Sequence, residues 1–416
     1  MSFFIKSLFI VIPIFTSLII IEQIASKMLK KKVNNSTDII SSLSSGITNI
    51  TKDGMKISIV LVSYSFFLKH MKLFEIQPTW LAVIVAIIVQ DFSGYWLHRL
   101  NHRVNVFWNR HTIHHSSEEF NLSCALRQSI SETIHFGAIL MIPAALVGVP
   151  AKIFAILGPI HLFMQFWYHT KLINKMGWLE HVIVTPSHHR VHHAINPEYI
   201  DKNYGQIFII WDKLFGTFQP ELNDVKPVYG MLRPAKTWNP VLINYKHLWQ
   251  LINDAYHAQR YWDKIRIWFM PTGWRPRDVE SKYPIDTITD PFNQNKYKPI
   301  ITSPYFIAWS FFQLNIALIT MFHFFTIIHK QTMGLNYCYG FFIIFHVFSF
   351  TSTLDNKRYS MKTELMKIFF IFVLLYSQDF HWFGLTYIYG GSMVLYSLLS
   401  FSITYYYHNT FKLKAI

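Results

Sequence analysis

The sequence predicts an all-α, multi-pass membrane helical protein with a histidine-rich cap on its cytoplasmic side. Three observations carry that expectation. Hydrophobic residues make up 51% of the 416-residue chain and charged residues only 15%, well under the ~25% typical of soluble domains. The apolar residues collect in runs comparable with the ~20 residues a bilayer-spanning helix needs. And 13 of the 21 histidines fall between His98 and His193. The composition excludes a disordered chain. Cys124 and Cys338 are the only cysteines, which offers neither a disulfide framework nor a thiolate metal site. The net charge of +15 is not gathered with stacking aromatics into a nucleic-acid module. Basic loops against an anionic membrane surface account for it, and no nucleic-acid partner is expected.

Four segments follow. Residues 1–78 are expected to form N-terminal membrane helices. Their first run, Phe3–Ile21, lacks a following small-residue cleavage pattern and is read as a retained anchor rather than a signal peptide. A second run covers Met55–Leu68, and the Ser/Asn-rich stretch Asn34–Ser45 between them reads as a loop. Residues 79–220 carry the run Trp80–Leu97, the histidines, and an apolar stretch Ile134–Phe166 broken at Gly148-Val149-Pro150. That break implies a helical hairpin, spanning or re-entrant. Residues 221–303 are polar, and Tyr256–Phe269 within them mixes aromatic and basic residues in the manner of an interfacial amphipathic helix. Residues 304–416 hold four further apolar runs, Tyr305–Ile328, Tyr337–Phe350, Leu365–Leu375 and Leu385–Tyr405. The loops bearing Lys27, Lys30, Lys31, Lys32 and Lys52, and Lys357, Arg358 and Lys362, are richer in cations than those bearing Lys69 and Lys72, or Lys330. The positive-inside rule then puts the histidines on the cytoplasmic side, in a bacterial inner membrane or the endoplasmic reticulum.

The histidines form three clusters. They are His98-x-x-x-His102, His111-x-x-His114-His115 and His189-x-x-His192-His193, the last preceded by His188. Residues i, i+3 and i+4 share one helix face, so each HxxHH can aim three imidazoles at one point. Eight ligands exceed what one four-coordinate zinc needs and suit two metals with open positions for substrate or O2. No HExxH is present, which removes the zinc-protease reading.

These clusters resemble the histidine boxes of the membrane fatty acid hydroxylase and sterol desaturase superfamily. The surrounding words are similar to its alkylglycerol monooxygenase branch: Asp91-Phe92, Tyr95-Trp96, His115-Ser116-Ser117-Glu118, Ala125-Leu126-Arg127-Gln128-Ser129, Gln165-Phe166-Trp167-Tyr168-His169-Thr170, Thr185-Pro186-Ser187-His188-His189, Asp201-Lys202-Asn203-Tyr204-Gly205 and Trp211-Asp212-Lys213-Leu214-Phe215-Gly216-Thr217. The resemblance is dense from Asp91 to Phe218. It implies an iron-dependent oxidoreductase with two Fe ions held by the eight box histidines, using O2 on a lipid C–H bond. It adds His169 as a further ligand, with a membrane-interface role as the alternative. His188 is either a ligand or a partner behind one. For alkylglycerols the implied reaction is hydroxylation beside the ether oxygen, followed by collapse to aldehyde and glycerol. The implied electron donor is tetrahydrobiopterin, although no residue pattern here shows pterin binding and a redox protein is the alternative. Arg103 stands where the animal enzymes of the branch carry an acidic residue.

Three carboxylates are candidates to orient the imidazoles. Asp91 lies two helical turns before His98, with a helix-tying hydrogen bond as its other role. Glu118 follows the second box, with a solvated loop position as the alternative. Asp212 either backs the third box or closes the Trp211–Thr217 turn. Tyr95, Trp96, Trp108 and Trp167 read as an interfacial belt. Arg127 and Gln128 contact a headgroup or pterin, or pack on a helix surface. Three rivals remain: a fatty acid or sterol hydroxylase or desaturase with the same boxes, a metal transporter, and an inactive scaffold. A transporter needs charged ligands along a membrane path, which the apolar runs do not offer.

Overall fold

The computed structural model describes residues 3–412; the outer bounds 1 and 416 expected for the terminal segments lie outside them. Helices dominate. α1 (Phe3–Met28) is followed by α2 (Ser36–Gly54), then α3 (Tyr64–Met71) and α4 (Thr79–Arg103). The expected loop Asn34–Ser45 is therefore largely helix. Asn35 caps α2 by accepting from the Thr37 amide at 3.0 Å, and its small residues Ser41, Ser42, Ser44, Ser45, Thr48 and Thr51 are buried. Close packing of small residues outweighs their weak helix propensity. The expected membrane run Met55–Leu68 is not a spanning helix either. Ile59–Val60 pairs in parallel with Ile134–His135 as a two-residue ladder, and Ser63 starts the short α3 by accepting from Phe66 at 3.2 Å.

Among the described residues, four helical stretches are long and apolar enough to cross a membrane: Lys6–Met28, α4, Pro304–Ile327 and Met333–Leu354. The stretch around Gly148-Val149-Pro150 forms α6 (Ile142–Leu146) and α7 (Ala151–Phe163), after α5 (Asn105–His115). A 13-residue helix rises only ~20 Å against a hydrocarbon core of ~30 Å, so neither arm spans.

The polar middle contributes α8 (Pro186–His192), α9 (Ile210–Leu214), α10 (Pro240–His257), α11 (Tyr261–Arg266) and α12 (Arg277–Lys282). The amphipathic stretch expected at Tyr256–Phe269 is thus two helices with a corner at Ala258–Arg260, where Ala258 leaves helical geometry. Four helices close the chain: α13 (Pro304–Ile327), α14 (Met333–Leu354), α15 (Ser360–Tyr376) and α16 (Tyr387–Lys412). Their core of Leu314, Ala317, Met321, Phe324, Phe342, Val347 and Leu374 also takes in Ile40 and Ile47 of α2.

That bundle contains a fully buried ion pair. Lys367 Nζ lies 2.8 Å from Glu364, whose carboxylate also accepts from Ser349 and Ser400 at 2.6 Å. The cap is tied on from below. Asp355, at the end of α14, accepts from the Trp238 amide at 2.8 Å and from the Thr237 hydroxyl.

A buried charge left without its partner costs ~3–5 kcal/mol, whereas an apolar pair of similar volume is often tolerated. Glu364→Leu alone is therefore expected to lower the detergent-solubilised melting temperature sharply. The double variant Glu364→Leu with Lys367→Leu should recover most of that loss in the same thermal scan.

Candidate metal centre

The cap gathers nine imidazoles into two adjoining groups. α4 presents His98 and His102 one turn apart. α5 presents His111, His114 and His115, and α8 with its C-cap presents His189, His192 and His193. His169 comes from the turn after α7. One group holds His98, His102, His111, His115 and His192; the other holds His114, His169, His189 and His193. Within each group the ligand atoms lie within 4.8 Å of one another. The His115 and His193 rings stack at 4.3 Å and join the two groups.

Each HxxHH is therefore divided between the groups, rather than aiming at one point as its spacing suggested. Helical rotation is ~100° per residue, so i and i+4 diverge by ~40° while i+3 and i+4 diverge by ~100°. His111 and His115 stay together and His114 turns away; His189 and His193 stay together and His192 turns away.

The ring nitrogens facing outward are fixed by main-chain carbonyls. His98 Nδ1 lies 2.8 Å from Tyr204 O, His169 Nδ1 3.0 Å from Gln165 O, His192 Nδ1 3.0 Å from Lys202 O and His114 Nδ1 3.3 Å from Arg127 O. A carbonyl only accepts, so each of these Nδ1 atoms carries the proton and each Nε2 turns a lone pair inward. His114 Nε2 and His169 Nε2 then face each other at 3.4 Å with no proton to share. Further Nε2 pairs lie at 2.8 Å (His169 and His189), 2.9 Å (His98 and His111), 3.0 Å (His189 and His193) and 3.1 Å (His114 and His193). Nitrogens bound cis to one cation at ~2.1 Å stand ~3.0 Å apart. The Nε2 atoms of His102, His115 and His192 are buried with no partner at all. Converging bare lone pairs are what a cation would relieve, and the donor set fits iron.

Electrostatics agree. Burial first, and the neighbouring His98 next, push His114 down to about 3. Burial likewise holds His111, His115, His169, His189, His192 and His193 well below the usual imidazole range, with crowding by other histidines adding to it. These rings are neutral near pH 7, the form that binds metal.

The candidate carboxylates act through the main chain. Asp91 is fully buried, but it does not reach a box histidine, because seven residues of helix separate it from His98 by ~10 Å. It accepts from the amides of Ile207 (2.9 Å) and Phe208 (3.1 Å) and from Trp211 Nε1 (2.9 Å), and faces His161 Nε2 at 2.9 Å. Asp212 closes its turn by accepting from the Thr217 hydroxyl at 2.6 Å, and it accepts from the amides of Tyr204 and Gly205 at 2.7 Å. Two carboxylates thus grip the 201–208 loop, whose Lys202 and Tyr204 carbonyls hold His192 and His98. Gly94 of α4 leaves room for the Gln206 amide, whose Oε1 a Cβ there would meet at 2.1 Å, so a larger residue would displace that side chain. Glu118 touches no imidazole; it accepts from the Tyr297 amide at 2.6 Å.

His188 stands outside both groups. Its Nδ1 turns back to the Thr185 amide at 3.4 Å, starting α8, and its ring packs on Phe218. Arg127 contacts no open space: it is buried in an ion pair with Asp38 at 2.6 Å. Tyr95 is buried rather than part of a belt, with its hydroxyl 2.9 Å from that of Thr217. His161, the partner of Asp91, had no motif to announce it.

A cavity of about 490 Å³ opens beside the imidazoles. His102, His115, His192 and His193 meet it at one side, and Trp108, Met231 and Ile243 add apolar wall. Arg233, Lys236 and Lys246 lie elsewhere on its lining, with Asp286 paired to Lys236.

Residues 83–217 match the model of the fatty acid hydroxylase family. That is the segment carrying every imidazole of the two groups. Over longer stretches the chain is also similar to curated proteins. The chain is 39% identical over 269 residues to an alkylglycerol monooxygenase of Homo sapiens, covering 64% of this chain and 59% of the relative. It is 37% identical over 266 residues to an alkylglycerol monooxygenase of Xenopus tropicalis, covering 63% and 58%. An ornithine lipid hydroxylase of Rhizobium tropici is 30% identical over 141 residues, 34% of this chain and 43% of the relative. The chain thus spans less than two thirds of the relatives it matches. No solved structure matches it at a significant level.

Two outcomes follow from the geometry. His189→Ala should release metal from full-length protein, read by elemental analysis, whereas His188→Ala should retain it and lower only the melting temperature, through the lost contact to the Thr185 amide and the buried ring on Phe218. The imidazoles bind protons in the unfolded chain near pH 6.5 but resist them when folded, so acid favours the unfolded state. Stability and metal retention should both fall as pH drops from about 7 to 5; a melting temperature flat across that window contradicts the assignment.

Proposed function

We propose that the protein is an integral-membrane, di-iron lipid monooxygenase, and that it hydroxylates alkylglycerols beside the ether oxygen, releasing aldehyde and glycerol. The observation that carries this reading is the pair of adjoining imidazole groups meeting a part-apolar cavity. His98, His102, His111, His115 and His192 would hold one iron, and His114, His169, His189 and His193 the other. Bound iron would supply O2 activation at the lipid C–H bond.

The chain's own residues do the rest. The Tyr204, Lys202, Arg127 and Gln165 carbonyls keep the imidazoles in one tautomer and orientation, and Asp91 and Asp212 hold two of those carbonyls in place. Trp108, Met231 and Ile243 provide apolar wall against which an alkyl chain excludes water. The cations of Arg233, Lys236 and Lys246 suit a polar headgroup. In this division the 79–220 segment carries the chemistry, 221–303 walls the cavity, and the helices on either side hold both in the bilayer. The Lys-rich loops support a cytoplasmic active site, in a bacterial inner membrane or the endoplasmic reticulum.

The net reaction inserts one oxygen atom of O2 and sends the other to water. Two electrons come from a donor, tetrahydrobiopterin or a redox protein. The hemiacetal so formed expels the glycerol oxygen, leaving the inserted atom in the aldehyde. Identities of 36–39% to proteins named alkylglycerol monooxygenase, against 27% to one named a sterol desaturase, favour this branch over the hydroxylase or desaturase alternative. A transporter is disfavoured because the imidazoles gather in one place, beside the end of α4, instead of lining a path along the apolar helices.

The test is product analysis from membranes containing the protein, given a 1-O-alkylglycerol, labelled O2 and tetrahydrobiopterin, with the aldehyde trapped at once. Label in the aldehyde that depends on pterin is expected. An iron-loaded protein yielding no aldehyde, with pterin or without, sinks the alkylglycerol assignment.

A further inference from the structure

α10 has two opposed stripes. Ile243, His247 and Gln250 line the cavity beside the imidazoles. Tyr245, Trp249, Ile252 and Tyr256, offset by two residues and so by ~200°, face outward and are all exposed. The outward stripe runs on past the corner into α11 and the turn after it. Tyr261 is 83% exposed, Trp262 64% and Phe269 70%, with Ile265 between them. A continuous apolar face of this kind is rare on a solvent-facing surface and marks a contact.

Two observations say what covers it. The first is continuity with a membrane helix. α4 ends at Arg103, and the next residues are stitched to the end of this patch: Asn105 N donates to Met270 O and Val106 N to Trp268 O, both at 3.0 Å, while Val104 bridges to Pro271. The patch therefore sits at the level where α4 leaves its apolar span. The second is charge. The only carboxylates between residues 240 and 270 are Asp254 and Asp263. Both are buried and paired, at 2.7 Å with Arg275 and 2.6 Å with Arg266. Arg260 is exposed and Lys264 half-buried beside the aromatics, so the two helices offer outward cations and no outward carboxylate of their own; Asp278 of α12 comes up to the corner between them, where it accepts from the Gln259 amide at 2.8 Å.

We propose that the α10–α11 face is embedded in the headgroup and upper acyl region of an anionic lipid leaflet, making α10 the partition between that leaflet and the cavity. Tyr and Trp rings are at home at that depth, and Lys and Arg beside them pair with anionic headgroups. The inference rests on the chain's being held in a bilayer, as proposed above, but not on which lipid is oxidised.

The experiment uses full-length protein carrying Cys338→Ser, because Cys338 is exposed and Cys124 is buried. Trp249→Cys and Trp262→Cys are each labelled with a nitroxide, with Asp224→Cys as a water-exposed reference, and reconstituted in vesicles of phosphatidylglycerol and phosphatidylcholine. Power saturation compares collision with O2, which concentrates in lipid, against a water-soluble nickel chelate. An oxygen-to-chelate ratio several-fold above that at position 224 is expected at both positions. It should fall when Arg260→Glu and Lys264→Glu are added to the Trp262→Cys protein. A ratio equal to that at position 224 overturns the inference. Shielding from both reagents with dipolar broadening between labels also overturns it, in favour of contact between two copies. A ratio untouched by the charge reversal removes the anionic lipid from it. Unchanged bound metal in these variants keeps the outcome separate from that of the oxidation chemistry.

Discussion

The structure depends on one constraint: imidazoles turned inward with their lone pairs bare. Backbone carbonyls claim the outer nitrogens of His98, His114, His169 and His192, and this leaves His114 and His169 facing each other across 3.4 Å without a proton. Such an arrangement is repulsive until a cation enters it. Folding must hold it together meanwhile, which explains why the residues behind the rings are so thoroughly bonded. The cost of gathering neutral histidines is met by hydrogen bonds to their backs and by packing around them.

The 201–208 loop concentrates that work. Asp201 and Asn203 adopt left-handed backbone conformations, at φ of 60° and 56°, which Asp and Asn tolerate better than most side chains. Asn203 donates to His188 O at 3.1 Å and to Gln219 O at 2.7 Å. Asp91 from the membrane helix and Asp212 from α9 grip the loop further along. Neither carboxylate touches an imidazole of the two groups, yet both decide where two carbonyls stand. The loop thereby couples the first histidine box, on a membrane helix, to the third, in the cap.

Much of this could be read in the sequence. Box histidines at helical spacing announced the cluster, because i and i+4 positions meet on any helix, and long apolar runs announced α1, α4, α13 and α14. The split of each HxxHH between two groups was not legible, since it depends on where three other elements stand around the helix. Nor were the carbonyls of Tyr204, Lys202, Arg127 and Gln165, because a main-chain oxygen has no sequence signature. Asp91 illustrates the limit. Its place on a membrane helix marked it as important, but its partners lie between 70 and 120 residues away along the chain. α2 was missed because serines favour loops in isolation and helices only when packed. His188 was over-read, because adjacency to a box residue says nothing about which way a side chain turns.

The most direct measurement is the metal count of full-length protein purified from membranes, by elemental analysis together with Mössbauer spectroscopy of iron-57-loaded material. Two irons per chain in a coupled pair are expected, falling to one when His114 and His189 are both changed to alanine. A single iron in the unaltered protein, or a count that survives the double change, contradicts a two-metal centre built from these nine imidazoles.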